Sequence, residues 1–476
     1  MHLLVDSTFA LIALPGLQSK SIISNFAIME IIYNGTIINE GKSFHGFLLI
    51  DGQKIALVGQ GDPDGHTLAA AEVKTDAGGG YIVPGVIDDH VHFREPGMTQ
   101  KADIASESRA AVAGGVTSFM DMPNNKPAAT TTELLEAKYA KAALVSPANY
   151  SFWIGATNDN LHEIEKIDFS RVCGVKAFLG SSTGGMLLSD PAATRSLFSS
   201  VGAMIAVHSE DEDIINANRK LYVDKYGQDP PLRFHEMIRS AEACWQSTAR
   251  AVKLARECGT RLHVLHITTA RELSLFDGGT PLCDKRITAE ACVAHLWFSD
   301  DDYNRLGTRI KCNPAVKTAA DRAALRQALS DGRIDVIGTD HAPHLLQEKQ
   351  GGCLKAASGM PMIQFSLPAM LELAHQGVVS KETVIEKMAH APATLFGIEG
   401  RGFLRKGYYA DVAIVKPIDE GYVVTDADVI SRCGWTPLNG STLHHKVVRT
   451  YVNGQVAFDG RTVSQSVSGM RLTFKI

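Results

Sequence analysis

Two histidines two residues apart, His90 and His92, follow an apolar run and could bind a metal together. On an extended strand, positions i and i+2 share a face, so both imidazoles can point at one cation. Neutral imidazole is the commonest metal ligand in proteins. A pair of this kind also arises by chance among 17 histidines in 476 residues. The prediction of a metal site therefore depends on further ligands elsewhere in the chain.

Four more candidate ligands follow strand-like apolar runs of their own. One buried histidine or lysine behind such a run is more often a satisfied core group than a ligand. Several of them at strand ends are hard to explain in that way, because the carboxyl ends of barrel strands form the active site of barrel enzymes. The sequence therefore predicts one metal centre with six ligands: His90, His92, Lys176, His208, His266 and Asp340.

The ligand types favour zinc. Four imidazoles and a carboxylate suit Zn²⁺, and six ligands are too many for one tetrahedral ion, so we expect two ions per chain. Lys176 as an ammonium would repel zinc, so it fits only if CO₂ carbamylates its amine to an N6-carboxylated bridge between the ions. The two ions would share a water and lower its pKa towards about 7. Asp340 would bind one ion and also transfer the proton.

The elements that must position these residues alternate between apolar runs and helical stretches. Residues 84–401 accommodate eight strand–helix units, which predicts an α/β fold with a (β/α)₈ TIM-like barrel. A doubly wound open sheet is the alternative, but no G-x-G-x-x-G follows the first strand. Short strands separated by turns such as Asn34-Gly35 fill residues 29–83 and 402–476. They predict a small β-sandwich domain formed from both chain ends.

Residues 1–28 are expected to be a non-native or disordered leader, with Met29 as the biological start. The segment is apolar, but Asp6 stands where a signal peptide carries positive charge.

Composition limits the partners that we expect. Lys and Arg number 47 against 52 Asp and Glu, a net charge of −5, and no basic stripe indicates nucleic acid. No apolar run reaches the roughly 18 residues of a membrane span. The 8 cysteines include no C-x-x-C pair, which is typical of reduced thiols in a cytoplasmic protein. A small-molecule substrate is expected, and a homodimer is compatible with the sequence.

The order H-x-H, Lys, His, His, Asp resembles the amidohydrolase superfamily. From about Met29 to the C-terminus, the chain is similar to the dihydroorotases of the class I, multi-zinc type within it. Four motifs carry this resemblance: residues 90–97 (His-Val-His-Phe-Arg-Glu-Pro-Gly), 120–125 (Met-Asp-Met-Pro-Asn-Asn), 338–344 (Gly-Thr-Asp-His-Ala-Pro-His) and 358–361 (Ser-Gly-Met-Pro).

The resemblance implies reversible, zinc-dependent cyclisation of N-carbamoyl-L-aspartate to L-dihydroorotate in pyrimidine biosynthesis. Arg94 would hold the substrate carboxylate through two parallel charge-assisted hydrogen bonds. By position in the matching motifs, Asn124, Asn313 and His344 would complete substrate binding. Each of the three also has a structural interpretation, as a turn residue, a loop cap and a support behind the ligands, respectively.

Two other functions stay open. An allantoinase or another cyclic-amide hydrolase would use the same metal ligands, but a ring without a carboxylate has less use for Arg94. A catalytically inactive dihydroorotase-like scaffold protein would be expected to lack metal ligands, and all six are present. Beside these candidates, we interpret Glu290 and His295 as structural, and Arg239 and Glu242, three apart, as a pair on a helix surface.

Overall fold

The computed structural model describes residues 29–180 and 186–475, so the predicted leader lies outside the described residues. The chain opens with short strands: β1 (Met29–Asn39), β2 (Lys42–Asp51), β3 (Lys54–Gln60), β4 (Val73–Asp76) and β5 (Tyr81–Pro84). The predicted turn at Asn34-Gly35 is wrong, because these residues form a bulge inside β1, where Asn34 has φ 56°. The chain reverses instead at Glu40-Gly41, where both φ values are positive, as a tight hairpin requires.

The barrel is built from the strands that follow. They are β6 (Val86–Val91), β7 (Val116–Asp121), β8 (Asn149–Phe152), β9 (Ile154–Gly155), β10 (Val175–Phe178), β11 (Ile205–His208), β12 (Leu262–Val264), β13 (Ile287–Cys292) and β14 (Val336–Gly338). Only Trp153 separates β8 from β9, which together form one barrel strand. All pairings among them are parallel, in the order of the chain.

The barrel closes next to the predicted metal ligands. Val91 pairs in parallel with His341, which follows β14, and the His92 N–H donates to the His341 carbonyl at 2.8 Å. In the described part of the chain, the strands thus form a closed eight-stranded parallel barrel. The predicted (β/α)₈ fold is confirmed.

Helices surround this barrel, and side chains cap the first turn of several of them. Asp103, Thr131, Ser240 and Thr318 each accept a hydrogen bond from a first-turn N–H. The α-helices are α1 (Gly65–Ala70), α2 (Ile104–Ala113), α3 (Thr132–Val145), α4 (Leu161–Ile164), α5 (Pro191–Ser200), α6 (Glu212–Tyr226), α7 (His235–Ile238), α8 (Ala241–Cys258), α9 (Val293–Trp297), α10 (Tyr303–Leu306), α11 (Ala319–Ser330), α12 (Ser366–His375), α13 (Lys381–Ile385) and α14 (Ala391–Phe396). Within residues 29–180 and 186–475, none of the helices has the length and apolarity of a membrane span.

The last strands return to the first sheet. They are β15 (Val412–Val423), β16 (Thr442–Val452) and β17 (Gln455–Phe458). The hydrogen-bonded order is β17-β16-β15-β5-β1-β2-β3, with β4 beside β1. A β-rich unit from both chain ends is therefore confirmed, and its strands form one hydrogen-bonded sheet. The domain boundaries at 83/84 and 401/402 stay predictions.

Candidate active site

The predicted metal ligands meet at one end of the barrel. They lie within or just after β6, β10, β11, β12 and β14, and they line a single cavity of about 220 Å³. The structure therefore brings together all six residues that the sequence selected: His90, His92, Lys176, His208, His266 and Asp340.

Three of these side chains form a first group. Asp340 Oδ1 lies 3.3 Å from His90 Nε2 and 3.0 Å from His92 Nε2. The His90 Nδ1–H donates to Glu290 Oε1 at 3.0 Å, because a carboxylate can only accept. The lone pair of His90 Nε2 then points towards the cavity. His92 is held in the same tautomer, since its Nδ1 lies 2.8 Å from Asn124 Oδ1.

Two further imidazoles form a second group. His208 Nδ1 and His266 Nε2 are 2.9 Å apart. The His208 Nε2–H donates to Glu210 Oε2 at 3.0 Å, which leaves Nδ1 as the candidate ligand atom. Glu210 also accepts from Arg239 Nε at 3.1 Å, and both side chains are buried. Arg239 thus fixes the carboxylate that orients His208.

The expectation for Arg239 is wrong. It does not pair with Glu242 on a helix surface: it lies just past the end of α7 and contacts Glu210 in the interior. Glu242 is exposed and pairs instead with Gln246 and Arg271.

Lys176 is 1% exposed and lies in the wall of the cavity. Burial lowers the pKa of its amine to about 7, against the opposing effect of Asp340 and Glu290. A substantial fraction of this amine is therefore neutral at neutral pH, and only a neutral amine attacks CO₂. The environment of Lys176 thus suits carbamylation.

The backbone adopts a left-handed conformation at three residues of the cavity. The φ angles are 65° at Arg94, 41° at His266 and 46° at Asp340. Such values are uncommon for non-glycine residues and cluster at functional sites, where the surrounding fold compensates the strain. Burial raises the pKa of Asp340, but His90 and His92 outweigh it and bring the pKa well below its usual range. Asp340 is therefore an ionised carboxylate.

Arg94 places a guanidinium group in the wall of the same cavity. Arg94 is 3% exposed; its Nε donates to the Pro343 carbonyl at 3.1 Å, and its Nη2 lies 3.2 Å from His344 Nε2. Among the described residues, no carboxylate oxygen lies within 4.0 Å of this guanidinium. A buried charge without a counterion is costly, so the site is suited to an anionic ligand.

The other predicted substrate residues occupy different positions. Asn313 lines the cavity, and its buried Oδ1 has no hydrogen-bond partner among the described residues. Asn124 lines the cavity while it orients His92. His344 is buried beside Arg94, and burial together with Arg94 and Lys101 holds its pKa well below the usual range. His344 is therefore a neutral neighbour of Arg94.

Comparison with known proteins assigns the family. The Amidohydrolase family model matches residues 81–457. The chain belongs to the amidohydrolase family. A dihydroorotase of Halobacterium salinarum is 35% identical over 419 residues, which cover 87% of this chain and 94% of that protein. An allantoinase of Bacillus velezensis is 31% identical over 445 residues, 92% of this chain and 95% of that protein.

The fold is also similar to that of a solved structure. An L-hydantoinase (dihydropyrimidinase) from Arthrobacter aurescens superimposes with a TM-score of 0.87 at 27% identity, covering 93% of this chain and 99% of that one. The expected enzyme class, a hydrolase, is confirmed for this amidohydrolase.

Sequence reasoning missed one carboxylate, Glu210, and gave another, Glu290, only a structural role; both position candidate metal ligands. Glu290 is fully buried, and besides His90 it accepts from the His266 N–H at 2.9 Å. It holds two candidate ligands from two strands, which is more than the structural role expected of it. Glu210 follows His208 by two residues, and that spacing could have indicated its role. His295 lies 3.1 Å from the Pro314 carbonyl and outside the residues that line the cavity.

Proposed function

We propose that this amidohydrolase is a dihydroorotase, which interconverts N-carbamoyl-L-aspartate and L-dihydroorotate in pyrimidine biosynthesis. The observation that carries the proposal is the buried Arg94 guanidinium, which lines the cavity without a carboxylate partner among the described residues. The substrate carboxylate would supply the missing counterion through a bidentate pair. The similarity to dihydroorotases at 35% identity supports the same assignment.

We further propose two zinc ions, and the donor atoms fit them. His90 Nε2, His92 Nε2 and Asp340 would hold one ion, and His208 Nδ1 and His266 Nε2 the other. N6-carboxylated Lys176 would bridge the two. Bound zinc would activate water near neutral pH and polarise the ring carbonyl.

The chain's own groups perform the rest of the proposed reaction. In ring opening, the water oxygen bonds to the amide carbonyl carbon and the C–N bond breaks. Asp340 accepts the proton of the water on its carboxylate and passes it to the departing ring nitrogen. Arg94 holds the substrate carboxylate, and Asn313 Oδ1 can accept an N–H of the ring. Cyclisation follows the same steps in reverse.

A hydrolase of neutral rings is the alternative within the family. The similarities to an allantoinase and to an L-hydantoinase favour it. Neither allantoin nor hydantoin carries a carboxylate, so an enzyme for these rings would leave the Arg94 charge unpaired. An inactive scaffold protein is disfavoured, because all six ligand side chains line one cavity.

One assay distinguishes these functions. Zinc-loaded protein is incubated with dihydroorotate, allantoin, hydantoin and dihydrouracil, and ring opening is followed. We expect kcat/KM for dihydroorotate to exceed the others by roughly 30-fold or more, the effect of one buried charge pair. Asp340→Asn protein, purified in parallel, controls for contaminating enzymes. Faster opening of a neutral ring would refute the proposal.

Two further expectations are compatible with this function. All eight cysteines lie in the described part of the chain and are free, which supports a reducing, cytoplasmic location. A homodimer stays a prediction.

A further inference from the structure

Two buried lysines lie behind the wall of the cavity and take no part in the proposed reaction. Lys349 is 1% exposed, and its Nζ donates to three carbonyls, those of Lys311 at 2.9 Å and of Ala357 and Gly359 at 2.8 Å. The three acceptors come from two separate segments of the chain. Lys349 therefore joins these segments.

Lys311 strengthens the same junction. Its Nζ donates to the Ala356 carbonyl and to Ser358 Oγ, the latter at 2.9 Å, and its carbonyl accepts from the Gly359 N–H at 2.9 Å. Asn313 follows Lys311 by two residues, and Asn313, Ser358 and Gly359 all line the cavity. The two lysines thus set the spacing between two parts of the cavity wall.

The position of Gly359 leaves little room for this wall to shift. Gly359 has φ 139°, and a Cβ there would lie 2.5 Å from the Ala342 carbonyl oxygen. The loop is therefore packed directly against the segment that follows Asp340. A change in either lysine should move the wall as a whole.

Both lysines also place positive charge at this end of the cavity. Burial brings the pKa of Lys349 well below its usual range, and the neighbouring Lys311 lowers it further. Three carbonyl acceptors nevertheless match the three N–H donors of an ammonium, whereas a neutral amine has only two. Among the described residues, no carboxylate oxygen lies within 4.0 Å of either Nζ. The charge is solvated by carbonyl dipoles and is not cancelled by an anion.

Arg94 and Lys101 add two more cations to this region. Lys101 Nζ lies 3.1 Å from His344 Nδ1, on the side opposite to Arg94, and pairs with Glu348 at 2.9 Å. Arg94, Lys101 and Lys349 all act electrostatically on His344. Glu348 offsets the charge of Lys101, so the excess of positive charge at the end of the cavity near Arg94 comes from Arg94, Lys349 and Lys311.

We propose that Lys349, supported by Lys311, is a positioning residue that determines the preference for an anionic ring over a neutral one. It holds the wall formed by Asn313 and Ser358–Gly359, and it supplies a fixed positive charge behind that wall. The inference rests on the proposed dihydroorotase function and adds a determinant of its substrate class.

The test compares paired ligands that differ in one carboxylate. Orotate and uracil are planar rings with and without that group, and their dissociation constants are measured on the zinc-loaded enzyme. Lys349→Met keeps an unbranched apolar side chain, one atom shorter, and removes the charge. We expect it to reduce the preference for orotate over uracil roughly tenfold, the effect of a unit charge acting over about 10 Å at an effective dielectric constant of about 20. KM for dihydroorotate should rise by a similar factor, with a smaller change in kcat.

Lys285→Met is the matched control. The side chain of Lys285 is 5% exposed. It bonds to Asp335 at 2.6 Å and to the Gly332 carbonyl, before the start of β14 and so at the opposite end of the barrel. Its loss should lower the melting temperature without changing the orotate-to-uracil ratio. If Lys349→Met does not fold, Lys311→Met replaces it and should change the ratio in the same direction.

Three outcomes bear on the inference. A lower ratio in the lysine variants alone supports it. An equal loss of affinity for both rings, or no change, overturns it and leaves the lysines a purely structural role. If the parent binds orotate selectively but does not open dihydroorotate, the proposed function fails, and the ratio still tests the electrostatic inference.

Discussion

Replacing Arg94 with methionine removes the group on which the proposed choice of substrate depends. The guanidinium is buried, its Nε is bound to the Pro343 carbonyl, and its Nη2 lies beside the neutral His344. Methionine replaces the aliphatic part of the arginine side chain and is unbranched like it. The substitution therefore removes the charge and the hydrogen bonds while it leaves the backbone of the site supported.

The magnitude follows from the burial of the pair. Removing one partner of a buried, hydrogen-bonded charge pair costs about 2–5 kcal/mol. Each 1.4 kcal/mol is about tenfold, so kcat/KM for dihydroorotate should fall by roughly 30-fold to 4,000-fold. Arg94→Lys should recover only part of the loss, because a point charge cannot reproduce the fork of two donors. Zinc content should stay the same, because Arg94 is not a ligand.

The melting temperature of Arg94→Met should not fall together with its activity. Without substrate, the Arg94 charge is buried and unpaired, so its removal should leave the melting temperature unchanged or raise it. Arg401→Met is the control: Arg401 is equally buried but forms an ion pair with Asp411. That variant should melt at a lower temperature and keep its substrate preference.

Three measurements test whether Arg94 binds the substrate carboxylate: steady-state kinetics with dihydroorotate, elemental analysis and thermal melting. If Arg94→Met opens dihydroorotate as well as the parent does, Arg94 is not the carboxylate anchor. The main observation that favours a dihydroorotase over an allantoinase would then be gone.

Three further predictions concern the metal centre. Chelator-free protein should contain about two zinc ions per chain, and removing them should lower the melting temperature, because ligands that bind only the folded state stabilise it; active protein with one ion or none would contradict this. Lys176→Ala should lose zinc and activity together. At a fixed CO₂ concentration, metal-free parent protein should regain activity with zinc faster as the pH rises through about 7, the pKa of the buried amine; a rate independent of pH would exclude the neutral amine as the reacting form. Glu210→Ala should weaken zinc binding roughly 10-fold to 100-fold in competition with a chelator, because His208 loses its orienting partner; unchanged affinity would show that this contact is dispensable.

The positions of the candidate ligands could be predicted because each one belongs to a local pattern. An apolar run followed by a polar side chain marks the carboxyl end of a parallel strand, and barrel closure brings all such ends together. No knowledge of a specific contact was needed to place His208 near His266. The two residues are 58 positions apart in the sequence, and the barrel topology brings them together.

Contacts that support the ligands could not be predicted in the same way. Arg239 and Glu242 satisfy the spacing of a helix pair, but Arg239 lies beyond the end of α7, where helical spacing no longer applies. Its actual partner, Glu210, is 29 residues away. Asn34-Gly35 fits the sequence of a hairpin turn, yet the pairing of β1 with β2 continues past it as a bulge. In each case tertiary packing overrides a local rule.

Metal ligands that can be predicted from local patterns are not sufficient to assign a substrate in the amidohydrolase family. The ligands that local patterns reveal can activate water for any cyclic amide, so they indicate the reaction but not the ring. In the proposed function, selection among rings depends on charge placed on the wall of the cavity, which here comes from Arg94 with Lys349 and Lys311 behind it. Lys349 contributes through three backbone carbonyls, contacts that no sequence motif specifies. Substrate identity should therefore follow the wall more closely than the metal ligands, and the orotate-to-uracil ratio measures that wall directly.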